Sequence, residues 1–376
     1  MAKRNIKSIY TGSAMAILSS HNTPWIKNPE ERAKMTLACK DGEDIPRVKN
    51  AGKTAVIRGK EVQIMHNGLK VLKGAYQGNW QSKIIEGLKG IHEPQEEKVF
   101  YEVLKKIPPN STILELGSWW SYYSMWFLKT IKNSKAYCCE PDPENLELGK
   151  ANARLNSIIE GKGIFFRQYA SGFQNNKKIK FKTSRDKIIT VPIRSVDSII
   201  MEEKISKLGI LHMDIQGAEL DALKGAQESI QKGLIRFLFV STHHYSISSD
   251  PTMHHRCLSF IRKNGGYIIA THSIFESCSG DGLIVASFDK IDKDFTVRVS
   301  LQPVEDSFFR TNDLDLDILW KHYDKLRKMY LEIENQNKYL QIERNSMKEF
   351  INEVSPLSRH IKRQILLRIK NRKLKI

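Results

Sequence analysis

From residue 112 to residue 287, short and almost continuously apolar runs alternate with amphipathic stretches, and nothing else in the chain limits its fold as much. TILEL, KAYCCE, GIFFRQYA, GILHMDI, IRFLFVS, GYIIATH and GLIVASF read as strands. YYSMWFLKTI, PENLELGKANARLN, SVDSIIMEEKI, AELDALKGAQESIQK and PTMHHRCLSFIRKNG carry the 3.6-residue spacing of helices between them. Strands that are apolar on both faces must be covered on both faces. That requires an α/β fold with a mainly parallel sheet and helices on either side. KIKFKT and IITVPI add two strands in a polar region. Before the first strand, PQEEKVFYEVLKKI has proline at its start, acidic residues in its first turn and lysines in its last, the polarity of a helix that PPN then ends.

The flanks behave differently. Residues 1–93 form an irregular extension in which TAVIRGKEVQIMHNGLKVL alternates like a small hairpin region. The α/β body spans 94–300. In 312–355, Leu316, Tyr323, Tyr330, Asn337, Arg344 and Ile351 recur every seven residues. Leu319, Leu326, Ile333, Leu340, Met347 and Val354 follow three positions later. This is a coiled-coil seam, and it implies a homodimer; a long helix folding back on the body is the competing arrangement. The tail, 356–376, carries eight basic residues and no acidic one from Leu357 onward. With Ile361, Ile365, Leu366 and Ile369 between them, it reads as a basic amphipathic helix able to lie on an anionic membrane face, or else as a solvated tail.

The net charge of +18 points the same way, towards an acidic partner or a solvated basic surface. It concentrates in the tail, and no RNA-binding module is recognisable, so nucleic acid is not the expected substrate. The five cysteines have no metal spacing, and Cys138 and Cys139 adjoin within an apolar run. The start MAKRNIKSIY has no sustained apolar core, and no run approaches 18 apolar residues. A cytoplasmic protein, peripheral to the membrane if the tail engages it, is expected.

Open parallel sheets bind ligands at the carboxyl ends of their strands, where the strand order reverses. The first strand ends at Glu115-Leu116-Gly117-Ser118 and the second at Glu140-Pro141-Asp142. Glycine and serine let backbone N–H groups approach a ligand, and an acid closing the second strand is placed to accept from a ribose diol. The pair indicates a cofactor containing a nucleoside. GSWWSYYS holds a single glycine, so the GxGxxG cradle for a pyrophosphate is missing. A cofactor without phosphates, such as S-adenosylmethionine, needs no such cradle.

In that order LELGSWWSYYS, CEPDPENLELGKANARLN, VPIRSVDSI and HMDIQGAELDALKGA, followed by IRFLFVSTHH, resemble the FkbM family of S-adenosylmethionine-dependent methyltransferases across roughly residues 94–290. The resemblance implies the Rossmann-like, seven-stranded class I methyltransferase sheet and O-methylation of a hydroxyl on a sugar, glycan or secondary metabolite. It implies that Glu115, Gly117 and Ser118 line the methionine side of S-adenosyl-L-methionine and that Glu140 holds the ribose. Tyr169, Ala170 and Ser171 would flank adenine, and Asp214 would lie close to the transferring methyl. The sequence departs from the family where Ser121 replaces the second loop glycine, after Trp119 and Trp120, and where His212 replaces a lysine before Met213-Asp214.

An alcohol nucleophile also needs a base. His243 and His244 follow the fifth strand at the same sheet edge as Asp214, and a neutral imidazole oriented by a carboxylate suits the task near pH 7. Adjacent residues point apart, and His243 is preferred over His244. Glu219 reads first as a helix cap that faces the site if the resemblance holds. Asp214, Glu219 and His243 are types that suit a divalent cation, but their spacing is not diagnostic and no metal is assigned. Glu93 and Gln95 either touch the cofactor or cap their helix, and Asp281 of SGDG either faces the acceptor or forms a turn. Two other readings stand beside the enzyme: a non-catalytic module tethering a glycan-assembly complex, with Trp119 and Trp120 plugging the pocket, and an NAD-dependent oxidoreductase.

Overall fold

The computed structural model describes residues 28–175, 177–303, 306–309 and 316–353, with Arg363 and Leu367. The chain divides into two compact units, Met1–Asp317 and Ile318–Ile376.

In the first unit, α1 (Pro29–Ala38) starts at a capping box between Asn28 and Glu31. The alternating region beyond it forms three strands rather than two. β1 (Thr54–Ile57), β2 (Lys60–Ile64) and β3 (Lys70–Leu72) make an antiparallel meander. After α2 (Asn79–Gly87) and α3 (Pro94–Leu104), the predicted alternation appears in full. It runs β4 (Thr112–Leu116), α4 (Tyr122–Thr130), β5 (Lys135–Cys139), α5 (Pro143–Leu155) and β6 (Ile164–Arg167). A side sheet of β7 (Ala170–Ser171), β8 (Lys178–Lys182) and β9 (Ile188–Arg194) follows, then α6 (Val196–Glu202) and β10 (Leu208–Met213).

AELDALKGAQESIQK is not one helix. It breaks at Gly225 into α7 (Glu219–Lys224) and α8 (Gln227–Gln231), and residue 225 has room only for glycine, since a Cβ there would stand 2.4 Å from the carbonyl oxygen of Gly172. The series ends with β11 (Ile235–Thr242), α9 (Tyr245–Ser248), α10 (Met253–Lys263), β12 (Tyr267–His272) and β13 (Gly282–Ser287).

The main sheet has the order β12-β13-β11-β10-β4-β5-β6. All pairs are parallel except the two made by β13. Side chains alternate across it as the pleat demands. Ile113 enters the cluster that holds Phe100, Trp126 and Phe239, whereas Leu114 and Leu116 enter the opposite one with Val196, Leu223 and Ile261. The order reverses between β4 and β10, which opens a crevice at their carboxyl ends.

Residues 28–93 share this core. Ile45, Met65, Leu69, Val71 and Ile91 belong to the same cluster as Phe100. Side chains of Asn152 and Asn156 on α5 hold the backbone of Leu72 and Lys70 on β3, each at 2.9 Å. A break at residue 93 therefore has no counterpart in the packing. The helix α3 also stops at Leu104, before its lysines, so the expected basic last turn lies outside it.

In the second unit, α11 (Leu316–Glu353) runs 38 residues as one helix. Tyr330 is 66% exposed, Ile333 54% and Leu340 43%. The basic tail lies outside the described residues except for Arg363 and Leu367. No helix among the described residues is long and apolar enough to cross a membrane. All five cysteines are buried, and none is in a disulfide.

Candidate active site

The crevice holds a cavity of about 80 Å³, lined by Glu115, Gly117 and Ser118 from the end of β4 and by Glu140 from β5. Tyr169, Ala170 and Ser171 follow β6, and Asp214 follows β10. Every residue assigned to the cofactor from sequence thus meets in one place. The roof comes from Tyr76, His92, Glu93, Trp119, Trp120 and Tyr123.

Gly117 is fixed by geometry. Its φ is +73°, and a Cβ there would fall 1.8 Å from the carbonyl oxygen of Asp214. The loop amides do not point at a ligand, however. Gly117 N–H and Ser118 N–H both donate to the carbonyl of Cys139, at 2.8 and 3.0 Å, and Trp119 N–H donates to Oε2 of Glu140 at 2.9 Å. The strand end is stapled to its neighbour. The ligand-facing polarity must come from side chains.

Several of these are poised for it. Glu115 is buried and only its Oε2 is engaged, by Ser124 N–H; burial pushes it up to about 7. Glu140 accepts from Asp142 N–H as well as Trp119, and burial pushes it up to about 8. Oγ of Ser118 and Nδ1 of His212 are buried beside the cavity with no hydrogen-bond partner among the described residues. Orphaned buried polar atoms are rare in folded chains, and these await a polar ligand. Burial disfavours a charge on Glu93, but the imidazolium of His92 and the hydroxyl of Tyr123 prevail and hold it down at about 2. Glu93 is therefore an anion beside an aromatic wall. That combination suits the cationic end of a ligand such as S-adenosylmethionine, so the residues present fit this cofactor.

The departures from the family pattern have local explanations. Ser121 takes a left-handed conformation, φ 58° and ψ 36°, the one a glycine would adopt freely. His212 pairs with the buried carboxylate of Glu96 at 2.6 Å, and that carboxylate accepts from Ser241 Oγ at 3.0 Å. Trp120 stacks on Tyr76 with centroids 4.6 Å apart and is 5% exposed. Trp119 instead borders both this cavity and a second one.

The second cavity, about 580 Å³, opens beside the first and is lined by Trp80, Trp119, Asn145, Gln216, His243 and Asp281, among others. His243 is 1% exposed. Its Nδ1 lies 2.8 Å from Oε1 of Glu219, and its Nε2 lies 3.1 Å from Oδ1 of Asp214 and 3.5 Å from Oδ1 of Asp281. Glu219 Oε1 also accepts from Gly217 N–H, so it tethers the loop and the ring together.

The electrostatics correct one expectation. Burial disfavours a charged ring, but Asp281, Glu219 and Asp214 together outweigh it and hold His243 well above an ordinary imidazole. With no cation among these carboxylates the ring favours its charged form, in contrast to the neutral base expected near pH 7. His244 is no candidate either. It alternates to the other side of the chain, where it caps α9 through Ser246 and stacks on Phe309 at 4.4 Å. Gln95 is likewise structural, bonding the backbone of Cys278, Glu276 and Ser300.

Sequence reasoning missed the buried acids of α3. First-turn polarity accounts for Glu96 and Glu97 in the sequence, yet Glu97 bonds His92 Nδ1 at 2.6 Å and Tyr122 at 3.0 Å. The signal was in the spacing. Glu96 and Glu97 stand four and three residues before Phe100, on the face that Val103 and Leu104 assign to the core.

The strand order, the crevice at its reversal and the acids that close β4 and β5 define a Rossmann-like methyltransferase sheet. Residues 74–269 match the family model described as "Methyltransferase FkbM domain", and the chain belongs to that family. Among solved structures, TrmK of M. capricolum in complex with S-adenosyl-homocysteine is 14% identical, with 72% of this chain and 93% of that one covered and a TM-score of 0.34. For the METTL16 MTase domain the values are 13%, 61%, 87% and 0.37. For a putative rRNA-methylase from Clostridium thermocellum they are 8%, 51%, 94% and 0.36. No curated protein matches the chain at a significant level.

Proposed function

We propose that this methyltransferase uses S-adenosylmethionine to methylate a hydroxyl of a sugar, glycan or secondary metabolite. The observation that carries the reading is the junction of the cavities: Gln216 and Trp119 border both, and Asp214 of the first lies against His243 and Asp281 of the second. When bound, the cofactor supplies an electrophilic methyl group. Glu115, Ser118 and Glu93 would hold its methionine end, Glu140 its ribose, and Tyr169, Ala170 and Ser171 its adenine. In the second cavity, Trp119 and Trp80, the latter with the Arg32 guanidinium 4.6 Å over its ring, supply aromatic surface and Asn145 a hydrogen-bonding amide, a lining suited to a sugar ring. The cluster of Asp214, His243 and Asp281 orients the acceptor hydroxyl and polarises it, and buried Glu219 keeps the cluster rigid. Positioning of this kind contributes several kcal/mol to such a displacement.

One observation favours the alternative of a non-catalytic tethering module: Trp119, Trp120 and Tyr76 leave the first cavity only about 80 Å³. Calorimetric titration of the full chain with S-adenosylmethionine and S-adenosylhomocysteine separates the two readings. Micromolar binding of both supports the enzyme. No heat from either would remove it and leave the module. Transfer of a labelled methyl group to hydroxyl-bearing glycans then tests the acceptor class.

The partner of α11 is, on this reading, a second copy of the chain. Tyr330, Ile333 and Leu340 lie exposed along the heptad seam, Asn337 stands at a core position, and Glu343 at g faces Lys348 at e of a parallel partner.

A further inference from the structure

Asp281 reaches the site from the loop before β13, far in sequence from Asp214 and His243. Even so, one ligand atom from each of the three lies within 4.8 Å of the others. Nε2 of His243 is 3.1 Å from Asp214 Oδ1 and 3.5 Å from Asp281 Oδ1, and the side-chain amide nitrogen of Gln216 lies 2.9 Å from that Nε2 and 3.2 Å from Asp214 Oδ1, so an ion bound here takes over the contacts that this amide makes. Ligands bound at about 2.1 Å in octahedral geometry stand about 3 Å apart when adjacent and about 4.2 Å apart when opposite, so these spacings match a coordination triad.

Independent features point to a cation. Glu219, fully buried, takes Nδ1 of His243 and thereby directs Nε2 at the two aspartates, the carboxylate–imidazole arrangement that orients metal-bound histidines. Its Oε2 has no hydrogen-bond partner among the described residues. Three carboxylates converge on one imidazole, which can offset only one of their charges, and no lysine or arginine among the described residues pairs with any of them. Buried and half-buried charges are otherwise matched by counter-charges or by metals.

We propose that Asp214, His243 and Asp281 bind a divalent cation of the magnesium–manganese class where the two cavities meet. Two carboxylates and one imidazole, with positions left open, suit such an ion. Its open positions would face the cleft and polarise an acceptor hydroxyl as a Lewis acid. That role rests on the methyl-transfer reading, but the binding does not.

The test uses full-length protein stripped with EDTA and titrated with Mn²⁺, free Mn²⁺ being followed by its paramagnetic resonance. One saturable site is expected. Asp281→Asn and His243→Ala should each weaken it at least tenfold, and Glu219→Gln by about 10- to 100-fold. Far-UV circular dichroism checks that each variant is folded. Absence of a saturable site in the wild type overturns the proposal, as does unchanged affinity in folded Asp281→Asn. Calorimetry with S-adenosylmethionine is run in parallel. Mn²⁺ binding without cofactor binding upholds the metal site and removes the methyltransferase reading. Cofactor binding without Mn²⁺ binding does the reverse.

Discussion

Oε1 of Glu219 lies 2.8 Å from Nδ1 of His243, and this contact decides which edge of the imidazole reaches the cleft. Glu219→Gln keeps the shape of the side chain and removes its charge. Methyl transfer is expected to fall about 10- to 100-fold, with the dissociation constant for S-adenosylmethionine within about twofold of the wild type. Single-turnover rates and calorimetry measure the two separately. Parallel losses in both would instead make Glu219 a residue of the cofactor pocket.

Glu140 sets stability against binding. Burial raises it from 4.5 to about 8, so between those values the folded chain keeps a proton that the unfolded chain has lost. Stability must then fall as pH rises through this window, by as much as roughly 4 kcal/mol at pH 8. Glu140→Gln removes the penalty. Its cofactor-free melting temperature should exceed that of the wild type at pH 8, with the gap closing towards pH 4.5, while cofactor affinity drops at least tenfold. A gap independent of pH would show that the carboxyl is ionised in both states.

His92 has the opposite sign. Burial disfavours its charge, but Glu93 and Glu97 raise it from 6.5 to about 10. Its contribution is complete below pH 6.5 and disappears as pH rises through 10. Glu93, lowered from 4.5 to about 2, contributes fully above pH 4.5 and loses that contribution as pH falls through 2. Between pH 4.5 and 6.5 both are at full strength. Breaking a buried pair of this kind costs about 3–5 kcal/mol. His92→Gln should therefore be less stable at pH 6 and should lack the wild-type decline between pH 7 and 10 in denaturant titrations. An unaltered alkaline limb would exclude His92 as its source.

The sheet was legible in the sequence because burial on both faces leaves long apolar runs, and the lining of the first cavity was legible because strand ends fix where Glu115, Glu140 and Asp214 must lie. The cluster of Asp214, His243 and Asp281 was only half legible. Asp281 joins it through the antiparallel return of β13, a tertiary relation that spacing within SGDG cannot carry. His243 and His244 could not be separated until the chain direction at Thr242 was known. Residues 28–93 looked like an appendage because their strands are short and half-exposed; the apolar residues that enter the common core are scattered between them. Glu96 and Glu97 hid behind a helix-start pattern that explains acidic residues too readily.

At Ser121 local strain is testable by itself. A left-handed backbone costs a residue with a Cβ about 1–2 kcal/mol, whereas glycine gives back roughly 0.5–1 kcal/mol through the freedom of the unfolded chain. The balance favours Ser121→Gly by about 0.5–1 kcal/mol, a small rise in melting temperature. Ser121→Val, β-branched in the same conformation, should be clearly destabilised. Equal melting temperatures for all three would mean that the loop adopts another conformation in solution.

The long helix offers the last test. Over Arg327–Glu349, every residue is exposed except Glu334 and Met347, which are half-exposed, so this stretch of α11 buries almost nothing. A 38-residue helix with an apolar seam at 3.5-residue spacing gains stability chiefly by pairing that seam. Asn337 at a core position pairs best with its own copy and favours two strands, at some cost in stability. Light scattering of the full chain should therefore give a dimer. Ile333→Glu with Leu340→Glu, or truncation before residue 316, should give monomers that still bind S-adenosylmethionine, since no residue of the cofactor cavity lies beyond Ala218. An unchanged oligomer in the double variant would assign the contact to another surface, and a monomeric wild type would leave the seam to a different partner.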